Sequence, residues 1–154
     1  MQESSNLILY EDLIHEITRI QEEVEYRKHL NSYKGHKGKR KDYPAVSVGA
    51  ELFDNKAVGH HHNYSHKQDF HPLLLEELNR RLGELNSWGV NYRVCKNFVG
   101  HCAENYAASK VLNSCNPSII CNADILSEIQ FTEAIQPRTW KNVDWCANCH
   151  TMFD

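Results

Sequence analysis

Apolar residues near the start of the chain recur with helical spacing. Leu13, Ile17, Ile20 and Val24 fall four, three and four apart, with Glu and Arg between them and no Gly or Pro. This pattern predicts a helix from Leu7 to about Lys28 that faces a core or a partner. The period then changes. In "YPAVSVGAELFDNKAVGHHHN", Val46 and Val48 alternate with smaller residues, Asp54-Asn55 supplies turn chemistry and Ala57-Val58-Gly59 starts a return strand, which predicts a β-hairpin over about Ala45 to Asn63. Leu74, Leu75, Leu78, Leu82 and Leu85 form a stripe behind Pro72, and Gly89 follows as a stop signal, so a second helix is expected over Pro72 to Leu85.

The stretch "NYRVCKNFVG" reads as extended or irregular. "CAENYAASKVL" is alanine-rich and free of breakers, which predicts a helix starting at Cys102. "SIICNADIL" reads as a short buried strand, "SEIQFTEAIQPRTWKNVD" as a connector, and "CANCHTMFD" as the first turns of a last helix. The order helix, hairpin, helix, helix, strand, helix is that of an α/β protein with helices packed on a small sheet.

Composition narrows the class. At 154 residues the chain suits one domain that buries a core without disulfides. Residues 1–44 are expected to hold the first helix and a basic loop, and 45–154 the remainder of a single compact domain. No apolar run approaches the ~18 residues of a membrane-spanning helix. The acidic start lacks the basic region of a secretory signal, and six scattered cysteines do not make a secreted disulfide framework, so the expected site of action is cytoplasmic. The net charge of −3 excludes a general polycation, but "KGHKGKRK" is locally basic. Lys37, Lys39, Arg40 and Lys41 there read either as a solvated loop or as phosphate contacts.

Three cysteines carry chemistry. Cys146 and Cys149 form Cys-x-x-Cys at a helix start, where backbone N–H groups favour thiolates. The pair alone is a redox couple, half a structural zinc site or an accident. Cys102 adds a third thiolate at another helix start, and three protein ligands leave one tetrahedral position of zinc open. His101 and His150 are nearby candidates to close it. Glu104, two residues past Cys102, is positioned either as a first-turn surface acid or as a proton carrier over the open position. The histidines His60, His61, His62, His66 and His71 read as loop residues, as base-contacting groups or as a second metal cluster. Trp140 and Trp145 read as core or as an aromatic wall.

"HCAENYAASK", "PRTWKNVDWCANC" and the hairpin "VGAELFDNKAVG" together resemble the zinc-dependent cytidine-deaminase superfamily, whose signature is His/Cys-x-Glu followed by Cys-x-x-Cys. The "CAE" form is similar to the free-nucleoside enzymes. The connector is similar to the deaminase domains of bacterial polymorphic toxins, the YwqJ-like group among them. The resemblance covers roughly Ala45 to Asp154 and implies a three-layer fold with a small mixed sheet, lacking the last strands of the full fold. It implies Zn2+ on Cys102, Cys146 and Cys149, with Glu104 as the proton shuttle. It also places Ala103 where backbone meets the base, and Asn63 at the asparagine that contacts the sugar. Trp145 stands where many members have proline, and as a flanking aromatic it is a substrate-binding candidate.

The activity implied is conversion of cytosine to uracil, in single-stranded DNA or another nucleic acid, or in free cytidine or a nucleotide. Adenine is attacked by the same kind of centre. A toxin-type domain would be delivered within a larger secreted protein and would have an immunity protein as partner. The reading from another class is a zinc-stabilised binding module without turnover. If the basic loop contacts a strand, neutralising Lys37, Lys39, Arg40 and Lys41 will flatten the salt dependence of oligonucleotide binding. Three phosphate contacts at roughly 0.7 each shift the slope of log affinity against log salt by about two units. An unchanged slope in a binding titration makes the loop a solvated linker.

Overall fold

A computed structural model describes residues 2–30, 43–119 and 122–154. The basic residues Lys37, Lys39, Arg40 and Lys41 lie outside the described residues, as does Cys121.

Helix α1 runs Gln2–Leu30, longer at both ends than its apolar stripe predicts. Leu13, Ile17, Ile20 and Val24 are buried as expected, and Leu9 extends the stripe by one turn. The hairpin follows as β1 (Ser47–Leu52) and β2 (Asn55–His60), antiparallel with Leu52 opposite Asn55. Its two-residue turn is therefore Phe53-Asp54, both at positive φ (48° and 68°), and not Asp54-Asn55. Positive φ at both central positions matches the right-handed twist of the strands. Asn55 instead opens β2 and donates from Nδ2 to the Leu52 carbonyl at 3.3 Å.

Helix α2 spans Pro72–Arg81, ending before the Leu85 expected from the stripe. The His71 side chain caps it by accepting from the Leu73 amide, and Pro72 sits in the first turn. Helix α3 spans Ala103–Ser114 with Cys102 at its N-cap. Helix α4 spans Ala147–Phe153 with Cys146 at its N-cap.

The region after α3 departs most from expectation. Of the apolar run 118–126 expected as a strand, residues 120 and 121 lie outside the described residues, and the part from Ala123 onward belongs to a 3-10 helix, Ala123–Glu128. Asn122 accepts from the Asp124 amide at 2.9 Å, and this local turn competes successfully with strand pairing. The strands lie in the stretch read as connector: β3 (Gln130–Phe131), β4 (Ala134–Ile135) and β5 (Asn142–Val143). Both β3 and β4 pair with β1. Four residues of β1, from Ala50 to Ser47, face five from Phe131 to Ile135, so one extra residue bulges between them. Thr132 covers the irregularity: its Oγ1 accepts from the Gly49 amide at 2.9 Å.

The result is a mixed α/β protein with a five-stranded sheet in the order β2-β1-β4-β5, β3 pairing with β1 off that path. Every pairing among the described residues is antiparallel, which corrects the expectation of a mixed sheet. Alternate residues of β1 face opposite ways. Val48, Ala50 and Leu52 join the main core with α2, α3 and α4 residues. On the other face, Leu13 and Ile17 of α1 cluster with Ile135 and Val58. The layers are thus α1, sheet, and the remaining helices, with residues 2–30 packed onto the sheet. Among the described residues no helix is long and apolar enough to cross a membrane.

Gly59 sets how closely α3 approaches the sheet. A Cβ there would lie 2.2 Å from the Ala107 amide nitrogen and 2.5 Å from the Ala103 carbonyl oxygen, both backbone atoms that cannot swing away. Gly59→Ala will push α3 off β2. The cost expected for such overpacking is about 3 kcal/mol. Thermal denaturation should show the midpoint lowered by roughly 6–12 °C. An unchanged midpoint would mean that β2 and α3 are not in backbone contact.

Candidate metal centre and cleft

Cys102 and Cys146 occupy equivalent positions at the two helix starts. Each has extended backbone angles and makes no cap hydrogen bond with its side chain. Partial positive charge at a helix start favours the thiolate over the thiol. Cys149 lies one turn into α4 and is 1% exposed.

The three Sγ atoms lie within 4.8 Å of one another. Cys102 and Cys146 are 3.2 Å apart, and Cys146 and Cys149 3.6 Å. These separations are far beyond the ~2.05 Å of a disulfide bond, and all three thiols are free. Two sulfurs each roughly 2.3 Å from one tetrahedral ion would sit about 3.8 Å apart. The donor set and its spacing therefore fit a thiophilic metal ion, and the three cysteines form a cluster able to bind one.

Charge is shared unevenly in the cluster. Its hydrogen bond with Cys102, and then that with Cys149, pulls Cys146 down to about 2. Cys102 is pushed well up, first by its hydrogen bond to Cys146. Cys149 is pushed well up as well, by its hydrogen bonds to Cys102 and Cys146 and by burial. Of the three, Cys146 is the one most favoured as a thiolate.

Glu104 stands beside these sulfurs, 4% exposed on the first turn of α3. The Cys149 thiol donates to its Oε2 at 3.1 Å. Burial pushes the Glu104 carboxyl above the usual range, against the lowering effect of that hydrogen bond. Its carboxylate is not among the atoms that converge within 4.8 Å, so the cluster that could hold a metal ion consists of three sulfurs. His101 and His150 do not close the set. His101 is bound through Nε2 to Asn86 Oδ1 at 2.7 Å, and His150 pairs with Asp154.

A cleft of ≈ 160 Å³ opens on the cluster. Cys102, Ala103, Glu104 and Cys146 form its floor, while Val46, His61, Asn97 and Asp144 contribute to the walls. Ala103 therefore lines the cleft. Asn63 is exposed beyond β2 and does not line the cleft; His61, two residues earlier, does. Trp145 packs edge-on against Phe131 and Phe153 at 5.4 and 6.4 Å and is absent from the lining.

Asn97 is a lining residue that sequence reasoning missed, and His61 is read there only as one of five histidines with the same three readings. His61 lay in a histidine run with no distinguishing spacing, and Asn97 in a stretch without periodicity. Burial pushes the His61 imidazole down, helped by His101 and His62. The other histidines are spent on structure. His60 bonds Ser47 Oγ through Nδ1 at 2.6 Å, His71 caps α2, and His62 stacks on Tyr106 with ring centroids 4.0 Å apart. Among the described residues they form no second metal cluster.

No protein-family model, curated protein or solved structure matches the chain.

Metal uptake has a definite proton count if Cys146 is already a thiolate while Cys102 and Cys149 are thiols. Adding Zn2+ to the metal-free protein at pH 7 should bind about one ion per chain and release about two protons. Calorimetric titration in buffers of different ionisation enthalpy reads that number. Cys146→Ser should abolish tight uptake, and full zinc retention in that variant would refute the ligand assignment.

Proposed function

We propose that the chain is a zinc-dependent deaminase of the cytidine-deaminase fold, converting cytosine to uracil, with single-stranded nucleic acid as substrate. The observation that carries this reading is the buried Glu104 carboxyl, which faces the cleft beside three clustered sulfurs without joining the ligand set. A structural metal clip has no use for a desolvated carboxyl at its open side, because burying that group costs free energy.

Cys102, Cys146 and Cys149 would hold zinc, which when bound supplies a water acidified toward neutral pH. Glu104 then acts as the proton carrier. It would take one proton from the attacking water and deliver it to ring N3 as the C4–O bond forms, then take the second from the new C4 hydroxyl and pass it to the amine, so that the C4–N bond breaks and ammonia leaves. Its raised affinity for a proton, set first by burial, suits a group that must both accept and release one near neutral pH. The Ala103 backbone, His61 and Asn97 border the space a base would fill.

The size of that space favours a pyrimidine. A cavity of about 150 Å³ holds a single benzene-sized ring. The cleft is ≈ 160 Å³, so it suits cytosine better than the fused rings of adenine. Free cytidine is the second reading, favoured by the same dimension, since the cleft accommodates a base whether or not it belongs to a strand. A toxin-type domain with its own immunity protein remains part of the first reading.

Glu104→Ala should lower turnover by at least about 100-fold, the lower end of what a positioned acid–base group contributes. Its zinc content should stay at the wild-type level. The assay is uracil formation from single-stranded DNA, duplex DNA, RNA and free cytidine. Loss of metal in the variant would make the carboxylate a ligand and the site structural. Normal turnover in it would sink the deaminase reading.

A further inference from the structure

Exposed apolar residues are concentrated in one short segment. Among the described residues ten large hydrophobics are exposed, and four of them, Trp88, Val90, Tyr92 and Val94, alternate along seven residues between α2 and α3. Trp88 is 50% exposed and Tyr92 57%. Scattered exposed apolar side chains are ordinary, but four within seven residues are a concentration on one surface segment.

The segment is held in place. The Val90 amide donates to the Leu82 carbonyl at 2.8 Å, and the Val99 amide to that of Ser87 at 2.8 Å. Asn91 Nδ2 reaches Asn148 Oδ1 and Thr151 Oγ1 of α4, both at 3.1 Å. The exposed rings are thus presented by a braced backbone, which lowers the ordering cost of binding.

Rings run from the segment to the cleft. Trp88 tilts against Phe98 with centroids 4.2 Å apart, Phe98 meets His101 at 5.3 Å, and His101 meets His61 at 6.1 Å. His61 lines the cleft, as does Asn97 beside Phe98. Charge points the same way. The sequence has no Asp or Glu from Leu85 to Ala103, although the chain as a whole carries −3. Arg93 and Lys96 are exposed there, and the Arg93 guanidinium lies 5.4 Å from the Tyr92 ring centroid. The exposed carboxylate at the cleft belongs to Asp144, on the β5–α4 connection.

We propose that residues 88–98 are a track for single-stranded nucleic acid, on which Trp88 and Tyr92 stack bases while Arg93 and Lys96 contact phosphates. The proposal deepens the deaminase reading and rests on it for the identity of the base in the cleft. A cleft that takes one ring leaves the flanking nucleotides outside, and the acid-free aromatic segment adjoins its wall. Stacking is indifferent to base identity, so the track supplies affinity and leaves base choice to the cleft.

The test uses full-length protein and a fluorescein-labelled oligodeoxythymidine of about twelve nucleotides, a length comparable to known single-strand sites. Thymine has no amine at C4, so binding is read apart from turnover. By fluorescence anisotropy, Trp88→Ala and Tyr92→Ala should each weaken binding roughly 5- to 150-fold, the loss of one base stack. Trp88→Phe, which keeps a ring, should recover most of it. Arg93→Gln with Lys96→Gln should reduce the salt slope by about 1.4, two contacts at roughly 0.7 each. Melting midpoints and zinc content establish that each variant is folded. If Trp88→Ala fails to fold for want of its contact with Phe98, Tyr92→Ala and the charge variant carry the test.

Failure to bind the oligomer, or unchanged affinity in the folded alanine variants, overturns the track. So does a dimer seen by sedimentation that Trp88→Ala abolishes while oligomer affinity holds, because the patch then belongs to a protein partner. Oligomer binding that depends on Trp88, without uracil from any cytosine substrate, keeps the track and removes the deaminase reading. Uracil from free cytidine with Trp88-independent binding does the reverse.

Discussion

The convergence of three sulfurs is the constraint on which the rest of the site depends. Cys102 and Cys146 are 44 residues apart in sequence and 3.2 Å apart in space, and each begins a helix. Bringing them together requires α3 to lie flat on the hairpin and the chain to return through β3, β4 and β5 before α4 starts. Of three thiols this close, Cys146 is the one most favoured as a thiolate, and a second thiolate would meet the first in a poorly solvated place. A divalent ion bound by the three sulfurs would remove that conflict and tie α4, a helix of only 7 residues, to the rest of the molecule.

The sheet serves this arrangement by being thin where α3 crosses it. Gly59 lets the α3 backbone sit against β2, and Ala103, Ala107 and Ala108 keep the facing helix surface narrow. The close approach carries Glu104 into the floor of the cleft and leaves it 4% exposed. A carboxyl in that position is destabilised as an anion, and such cost is usually found where a group has work to do. Asn86, at φ 67°, extends the support outward. Its Oδ1 accepts from the Ser65 amide at 2.8 Å and meets His101 Nε2 at 2.7 Å, joining the loop after β2 to the entry of α3.

Much of the surface around the cleft is built by segments with no regular structure. The loop after β2 contributes His61, and the stretch before α3 contributes Asn97, while two helices supply the sulfurs and the carboxyl. Rigid elements thus hold the reactive groups, and loops braced by hydrogen bonds shape what reaches them.

What the sequence determined by itself was whatever depends on short spacings. The stripe of Leu13, Ile17, Ile20 and Val24, a hairpin within Ala45 to Asn63, the helix that starts at Cys102, and the Cys-x-Glu and Cys-x-x-Cys motifs, each taken singly, could all be read from neighbours a few positions apart. These features follow from the helix and strand periods and from the reach of a side chain along its own element. The tertiary structure alone decided the rest. Strands of two residues, such as Gln130–Phe131 and Ala134–Ile135, carry no period, and they form because β1 offers an edge to pair with. The run around Ile125 looked like a strand, but Asn122 turned it locally before any partner could be used. Asn63 and His61 differ by two positions in a polar stretch, and which one faces the cleft was settled by where β2 ends against α3. Trp145 was drawn into contact with Phe131 and Phe153 because burying aromatic area outweighs leaving it at a mouth. Long-range packing chose among side chains that local pattern could not tell apart.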